Sequence, residues 1–185
     1  CILFFDAQLL LQISRRFIAM KLKTLVMSFG LAAISTGVLA LDVKLSDSSW
    51  NGNKIPAGQQ CQKFGGMNPS TPALSLSSIP KGTYAIIMEY SDRDSENMNN
   101  GGHGQLIYAL KSSAKSVDIP SIHGHTFDVP APFEIVAPHR GPGWDKAGAY
   151  MPPCSGGKDH AYYVTVKAVD GDKVLATTVL ELGKY

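Results

Sequence analysis

Several things are scarce in this sequence, and each scarcity excludes something. Charged side chains make up 17% of the 185 residues against 44% hydrophobic ones. That excludes a disordered chain, which would be too charged and too poor in apolar groups to offset the entropy of ordering. No stretch keeps an amphipathic helical period over about twelve residues. With 18 glycines and 11 prolines, a helical bundle gives way to a turn-rich β fold. Lysine and arginine are scattered without a basic stripe, so no nucleic-acid face is expected. The signatures G-x-S-x-G, H-E-x-x-H and G-x-x-x-x-G-K-S/T are all missing. The apolar run at residues 25–34 falls short of the roughly 20 residues of a membrane-spanning helix, and Ser28 interrupts it.

What is present begins with an uneven charge. The formal net charge is +2, yet residues 1–40 hold Arg15, Arg16, Lys21 and Lys23 against Asp6 alone, a local +3 that leaves −1 for residues 41–185. From Met20 the chain shows two lysines, an apolar run and the small-residue ending Val38-Leu39-Ala40, the pattern of a secretory signal peptide cut before Leu41. Residues 1–19 read as an upstream in-frame extension, 20–40 as the leader and 41–185 as one exported domain, bound for the bacterial periplasm or the exterior. The residue directly after the cut is Leu41 and not cysteine, which argues against a lipid anchor, and no stable membrane anchor is expected once the leader is gone.

Short β-rich or alternating segments lie at 41–45, 83–90, 105–110, 133–136, 161–169 and 173–182. In 161–169, Tyr162, Val164, Val166 and Ala168 share one face, with Tyr163, Thr165 and Lys167 on the other. Asp170-Gly171-Asp172 supplies a tight turn. The loops 46–82, 91–104, 111–132 and 137–160 are long, and loops of that length in compact domains usually carry function. The expected fold is one all-β domain with its chemistry in the loops.

Only Cys61 and Cys154 remain after the leader. In an oxidising compartment the pair is either a disulfide closing a loop of about 90 residues, worth around 4 kcal/mol, or two buried free thiols. The histidines at 103, 123, 125, 139 and 160 fall in or beside the long loops. On an extended segment His123 and His125 would point the same way, with His139, Asp128 or His103 as further metal ligands; two surface histidines flanking a glycine is the competing reading. Cys154 with His160 can be drawn as a thiolate–imidazole pair, but a cysteine between proline and serine in an exported chain reads as structural. No cofactor is expected.

Four ordered islands resemble the phosphatidylethanolamine-binding protein (PEBP) family, in its bacterial Raf-kinase-inhibitor-like branch. The first runs from Ile55-Pro56 through Cys61, Gly65-Gly66, Asn68-Pro69-Ser70 and Pro72-Ala73-Leu74 to Ile79-Pro80-Lys81-Gly82-Thr83. The second is the strand at 85–88 with its exit Ser91-Asp92-Arg93-Asp94, similar to the family's D-P-D-A-P turn, Arg93 standing where proline is usual. The third is His103 ahead of Leu106-Ile107-Tyr108, one residue early relative to Tyr108 and with Gln105 in the usual tryptophan place. The fourth is Tyr150, Pro152-Pro153-Cys154, Gly156-Gly157, His160 and Tyr162, with Ser155-Gly156 where further prolines are usual. The ending from Val174-Leu175-Ala176 to Gly183-Lys184-Tyr185 is also similar, although the long segment usual before the final strand is missing.

The resemblance implies a large antiparallel sheet packed on a smaller one, with a small pocket for phosphate-like anions or phospholipid head groups. Carried over by position, the pocket residues are Asp92, His103, His160 and Tyr162, walled by Pro153, Gly156 and Gly157. Imidazoles and a tyrosine hydroxyl can donate to phosphate oxygens, glycine-rich backbone can present N–H groups, and Asp92 would raise the histidine pKa values and orient the rings. Asp92 and Asp94 could equally cap their own turn. The expected function is non-catalytic binding of a small anionic ligand. The alternatives are a hydrolase or transferase using Asp92 and His160, and a metal-binding protein using His123 and His125.

Overall fold

The computed structural model describes residues 40–111, 114–141 and 143–185. The expected extension at 1–19 and all of the leader but Ala40 lie outside the described residues. Among the described residues, eight strands form two antiparallel sheets. A three-stranded sheet has the order β1-β2-β5, built from β1 (Asp42–Leu45), β2 (Leu74–Ser77) and β5 (Val117–Ile119). A five-stranded sheet has the order β6-β4-β3-β7-β8, built from β3 (Ala85–Asp92), β4 (Gly104–Ala109), β6 (Phe133–Ala137), β7 (Ala161–Asp170) and β8 (Lys173–Lys184). Single turns of 3₁₀ helix at Gln62–Phe64 and Glu96–Met98 are the only helical elements among the described residues.

The alternating pattern of β7 decides where the core lies. Tyr162, Val164, Val166 and Ala168 are all buried, as their shared parity predicts. They pack with Ile86, Met88 and Leu106 of the large sheet and with Val43, Leu74, Leu76 and Ile119 of the small one in a single apolar cluster. Burying this set removes each large side chain from water at a gain of about 1.5–3 kcal/mol. β3 is central and buried along most of its length, whereas the edge strand β8 is half exposed. The β7–β8 hairpin pairs Asp170 with Lys173, so Gly171-Asp172 is its two-residue loop. Gly171 has φ +56°, the sign a II′ turn demands at its first central position.

Six strands stand where the sequence places them, give or take two residues. β2 and β5 fall inside segments read as loops, and they form two of the three strands of the small sheet. Their pairing brings Leu74 opposite Ile119 and Leu76 opposite Val117. Long-range pairing, rather than any local pattern, stabilises segments this short.

Candidate functional site

The β3–β7 ladder sets Asp92 opposite Tyr162, which brings the acidic turn after β3 beside the loop that enters β7. The Arg93 N–H donates to the Ala161 carbonyl (2.9 Å), and the Ala161 N–H donates to Asp94 Oδ2 (2.8 Å). His160 is fixed by two backbone bonds with Tyr185, its N–H to the Tyr185 carbonyl (3.0 Å) and the Tyr185 N–H to its own carbonyl (3.1 Å). The ring then donates through Nδ1 to Asp92 Oδ2 at 2.7 Å. Asp92 Oδ1 meanwhile accepts the Asp94 N–H at 2.8 Å. The two readings of Asp92, pocket residue and turn cap, are therefore both true, one for each carboxylate oxygen.

His103 is held more tightly still. Its N–H donates to the Tyr90 carbonyl (3.0 Å) and its carbonyl accepts the Met151 N–H (2.9 Å). Its Nδ1 donates to the Met151 carbonyl at 2.7 Å. The next residue must be glycine: Gly104 has φ +119°, and a Cβ there would lie 2.0 Å from the Ala149 carbonyl oxygen. The imidazole is 3% exposed, and its Nε2 has no hydrogen-bond partner among the described residues. Asp92 does pull the His103 pKa upward, as expected, but that pull does not decide the outcome. Burial pushes His103 down from 6.5 to about 4, outweighing the upward pull of the Met151 carbonyl and of Asp92, while His139 and His160 add to the fall.

These groups line a cleft of about 140 Å³ open to solvent. Asp92, His103 and His160 belong to it, joined by Ser95, Ser155 and Lys158 as polar neighbours and by Met98, Trp144, Met151 and Cys154 as apolar wall. Tyr162 and Pro153 lie elsewhere, around a narrow void of about 10 Å³ that also touches His103. The Tyr162 ring packs edge-on against His103 with centroids 5.3 Å apart, its hydroxyl accepts the Cys154 N–H (3.2 Å), and burial raises its pKa and keeps the phenol protonated. Tyr162 thus supports the cleft from beneath. Gly156 is exposed and lies close to the Phe64 ring. Gly157 borders a separate depression of about 410 Å³ with Asn53, Lys54, Asp159, Lys184 and Tyr185.

Of the cleft lining, the sequence reading missed Ser95, Met98, Trp144, Met151, Ser155 and Lys158 as site residues. Trp144, half exposed within a glycine-rich loop, was the one visible signal, since a large apolar side chain there has no core to join.

Cys61 and Cys154 form a disulfide with Cα atoms 5.2 Å apart, so the free-thiol alternative is set aside, as is a Cys154–His160 thiolate pair. The bridge ties the 3₁₀ turn after Cys61 to the cleft wall, reinforced by the Cys61 N–H donating to the Pro153 carbonyl (2.9 Å). Asp145 sits beside it, within 4.8 Å of both sulfurs, but sulfurs bonded to each other are not thiolate ligands. The other histidines do not join the cleft. His125 is buried with φ +59°, so its segment is not extended, and it does not share a direction with the exposed His123. Its Nε2 accepts the Gln62 N–H (3.3 Å) and its Nδ1 faces Asp145 Oδ2 at 3.4 Å. His139 donates to the Lys146 carbonyl (3.1 Å) and accepts the Gly141 N–H (3.1 Å), and burial lowers its pKa. Asp128 is exposed. Among the described residues, no group of three metal-ligating side chains includes any histidine.

No family model matches the chain, and no curated protein matches it either. Solved structures do. The crystal structure of Escherichia coli YbcL, described as a new member of the mammalian PEBP family, is 17% identical, with a TM-score of 0.53 over 78% of this chain and 97% of that one. A putative phosphatidylethanolamine-binding protein homolog from Chlamydia trachomatis, CT736, is 20% identical, with a TM-score of 0.44 over 80% of this chain and 97% of that one. The likeness to YbcL shows that this chain has a PEBP-like fold.

Proposed function

We propose that the protein is an exported, non-catalytic binding protein whose cleft holds a small phosphate-bearing ligand. One observation carries the reading: Asp92 orients His160 through a 2.7 Å bond in a cleft that also gathers Lys158, Ser95, Ser155 and the buried ring of His103. Lys158 supplies positive charge, and the Ser95 hydroxyl supplies a donor. The volume of about 140 Å³ is below the range of roughly 300–1,000 Å³ typical of drug-sized sites, and it suits a phosphate or a compact head group. Trp144 offers an apolar surface at the rim for whatever the phosphate is attached to. The disulfide fits passage through an oxidising compartment.

Asp92–His160 also has the form of an acid–base dyad, which favours hydrolysis as the second reading. Against it, the Ser155 hydroxyl donates to the Tyr185 carbonyl at 2.6 Å, so it does not stand as a nucleophile activated by His160. Calorimetric titration with inorganic phosphate and phosphoethanolamine tests the proposal. We expect saturable one-site binding that His160→Ala abolishes; no binding by the wild type overturns it. Release of phosphate from phosphoethanolamine, lost in the same variant, would put the hydrolase in its place.

A further inference from the structure

We propose that the cleft selects oxyanions that still carry a hydrogen, a phosphate or phosphomonoester monoanion, and that His103 makes the choice by accepting that hydrogen at Nε2. The inference rests on the reading of the cleft as an anion site and adds a rule for which anion enters.

It begins with a tautomer. A backbone carbonyl can only accept, so the 2.7 Å contact between His103 Nδ1 and the Met151 oxygen places a hydrogen on Nδ1. In the neutral ring, Nε2 is then a bare lone pair. The ring cannot turn over to exchange its two nitrogens without losing that bond, because Met151 also grips the His103 backbone. The groups facing the ring are Asp92 from β3, Tyr162 from β7, His160 from the loop before β7, and His139 from the loop after β6. The Met151 carbonyl and Asp92 favour a second proton, and burial overrides both, so the ring stays neutral above about pH 4.

An unpartnered acceptor in a buried position is costly, because it has given up water and gained nothing. Nε2 is such an atom, on a ring that lines the cleft. A ligand oxygen bearing a hydrogen would satisfy it. A fully deprotonated oxygen would set lone pair against lone pair, close to the carboxylate of Asp92. The Lys158 ammonium attracts any anion of suitable size; His103 distinguishes among them. The site is thus an anion cleft with a buried, unpartnered acceptor on one of its lining rings, where the family resemblance suggests only donors. The discrimination expected from leaving such an acceptor unpaired is on the order of 10- to 100-fold.

Four small probes decide it by calorimetry at about pH 6, where phosphomonoesters are partly protonated: inorganic phosphate, methyl phosphate, sulfate and dimethyl phosphate. Dimethyl phosphate stands in for the diester of a lipid head group and has no hydrogen to give. We expect phosphate and methyl phosphate to bind at least tenfold more tightly than the other two. In parallel, ¹⁵N NMR of the wild type should show His103 as the Nδ1–H tautomer, with its Nε2 resonance moving when phosphate is added. Equal binding of all four anions overturns the selection rule while leaving the anion site standing. Discrimination without any response at Nε2 overturns the role of His103. Binding of none overturns the anion site itself, and the rule with it.

Discussion

Asp92 divides its carboxylate between two duties: one oxygen accepts the His160 ring at 2.7 Å, and the other caps the Asp94 N–H at 2.8 Å. The turn that shapes the chain after β3 and the side chain that aims into the cleft are therefore set by one buried group. Asp92→Asn keeps a carbonyl oxygen for the turn but replaces the acceptor of His160 with an amide N–H donor or a weaker acceptor. We expect a loss of about 1.5–3 kcal/mol in stability by urea denaturation, as for hydrogen bonds to charged groups. Phosphate affinity should fall with it, since His160 loses its orientation.

The disulfide joins residues 93 positions apart. A loop of that length predicts a contribution of about 4–5 kcal/mol through the entropy of the unfolded chain. Cys61→Ser should lower stability on that scale. Thiol titration of the denatured, unreduced domain from Leu41 onward should find no free cysteine. Because Cys154 lines the cleft, ligand affinity should also drop; a variant with wild-type affinity would show that the bridge does not shape the site.

His103 predicts a pH dependence with a definite sign. Its pKa falls from 6.5 unfolded to about 4 folded, so between those values the unfolded chain binds more protons. Its stabilising contribution is complete above about pH 6.5 and is lost as pH falls toward 4, by about 3 kcal/mol in total. His139, also lowered by burial, acts in the same direction. His103→Gln can still donate to the Met151 carbonyl, so it should fold and show a shallower decline in urea midpoint between about pH 6.5 and 4. A slope identical to that of the wild type contradicts the buried neutral ring.

Tyr162 makes no part of the cleft lining, yet its hydroxyl holds the Cys154 N–H. Tyr162→Phe should cost about 0.5–1.5 kcal/mol in stability and change phosphate affinity less than His160→Ala does. An equal or larger loss of affinity would mean that the phenol reaches the ligand.

How much of this could be read in the sequence depends on whether the cause is local. β7 was legible because Tyr162, Val164, Val166 and Ala168 alternate, and alternation is what a one-sided burial imposes. β2 and β5 were not, because four residues of Leu-Ser-Leu-Ser and three of Val-Asp-Ile become strands only through partners 29 to 45 residues away. Asp92, His103 and His160 were reached through ordered motifs. Ser95, Met151 and Lys158 carry no signature of their own and enter the cleft because the β3–β7 register and the disulfide bring three loops together. The net direction of the His103 pKa was not legible for the same reason: a sequence names the neighbouring carboxylate but not the depth of burial that outweighs it.

The most direct test of the central claim is a crystal structure of the protein grown with inorganic phosphate. The account predicts an anion between His160 Nε2 and Lys158, within hydrogen-bond reach of His103 Nε2. An anion found only in the depression beside Lys54 and Lys184, with the Asp92–His160 cleft occupied by water, would contradict it.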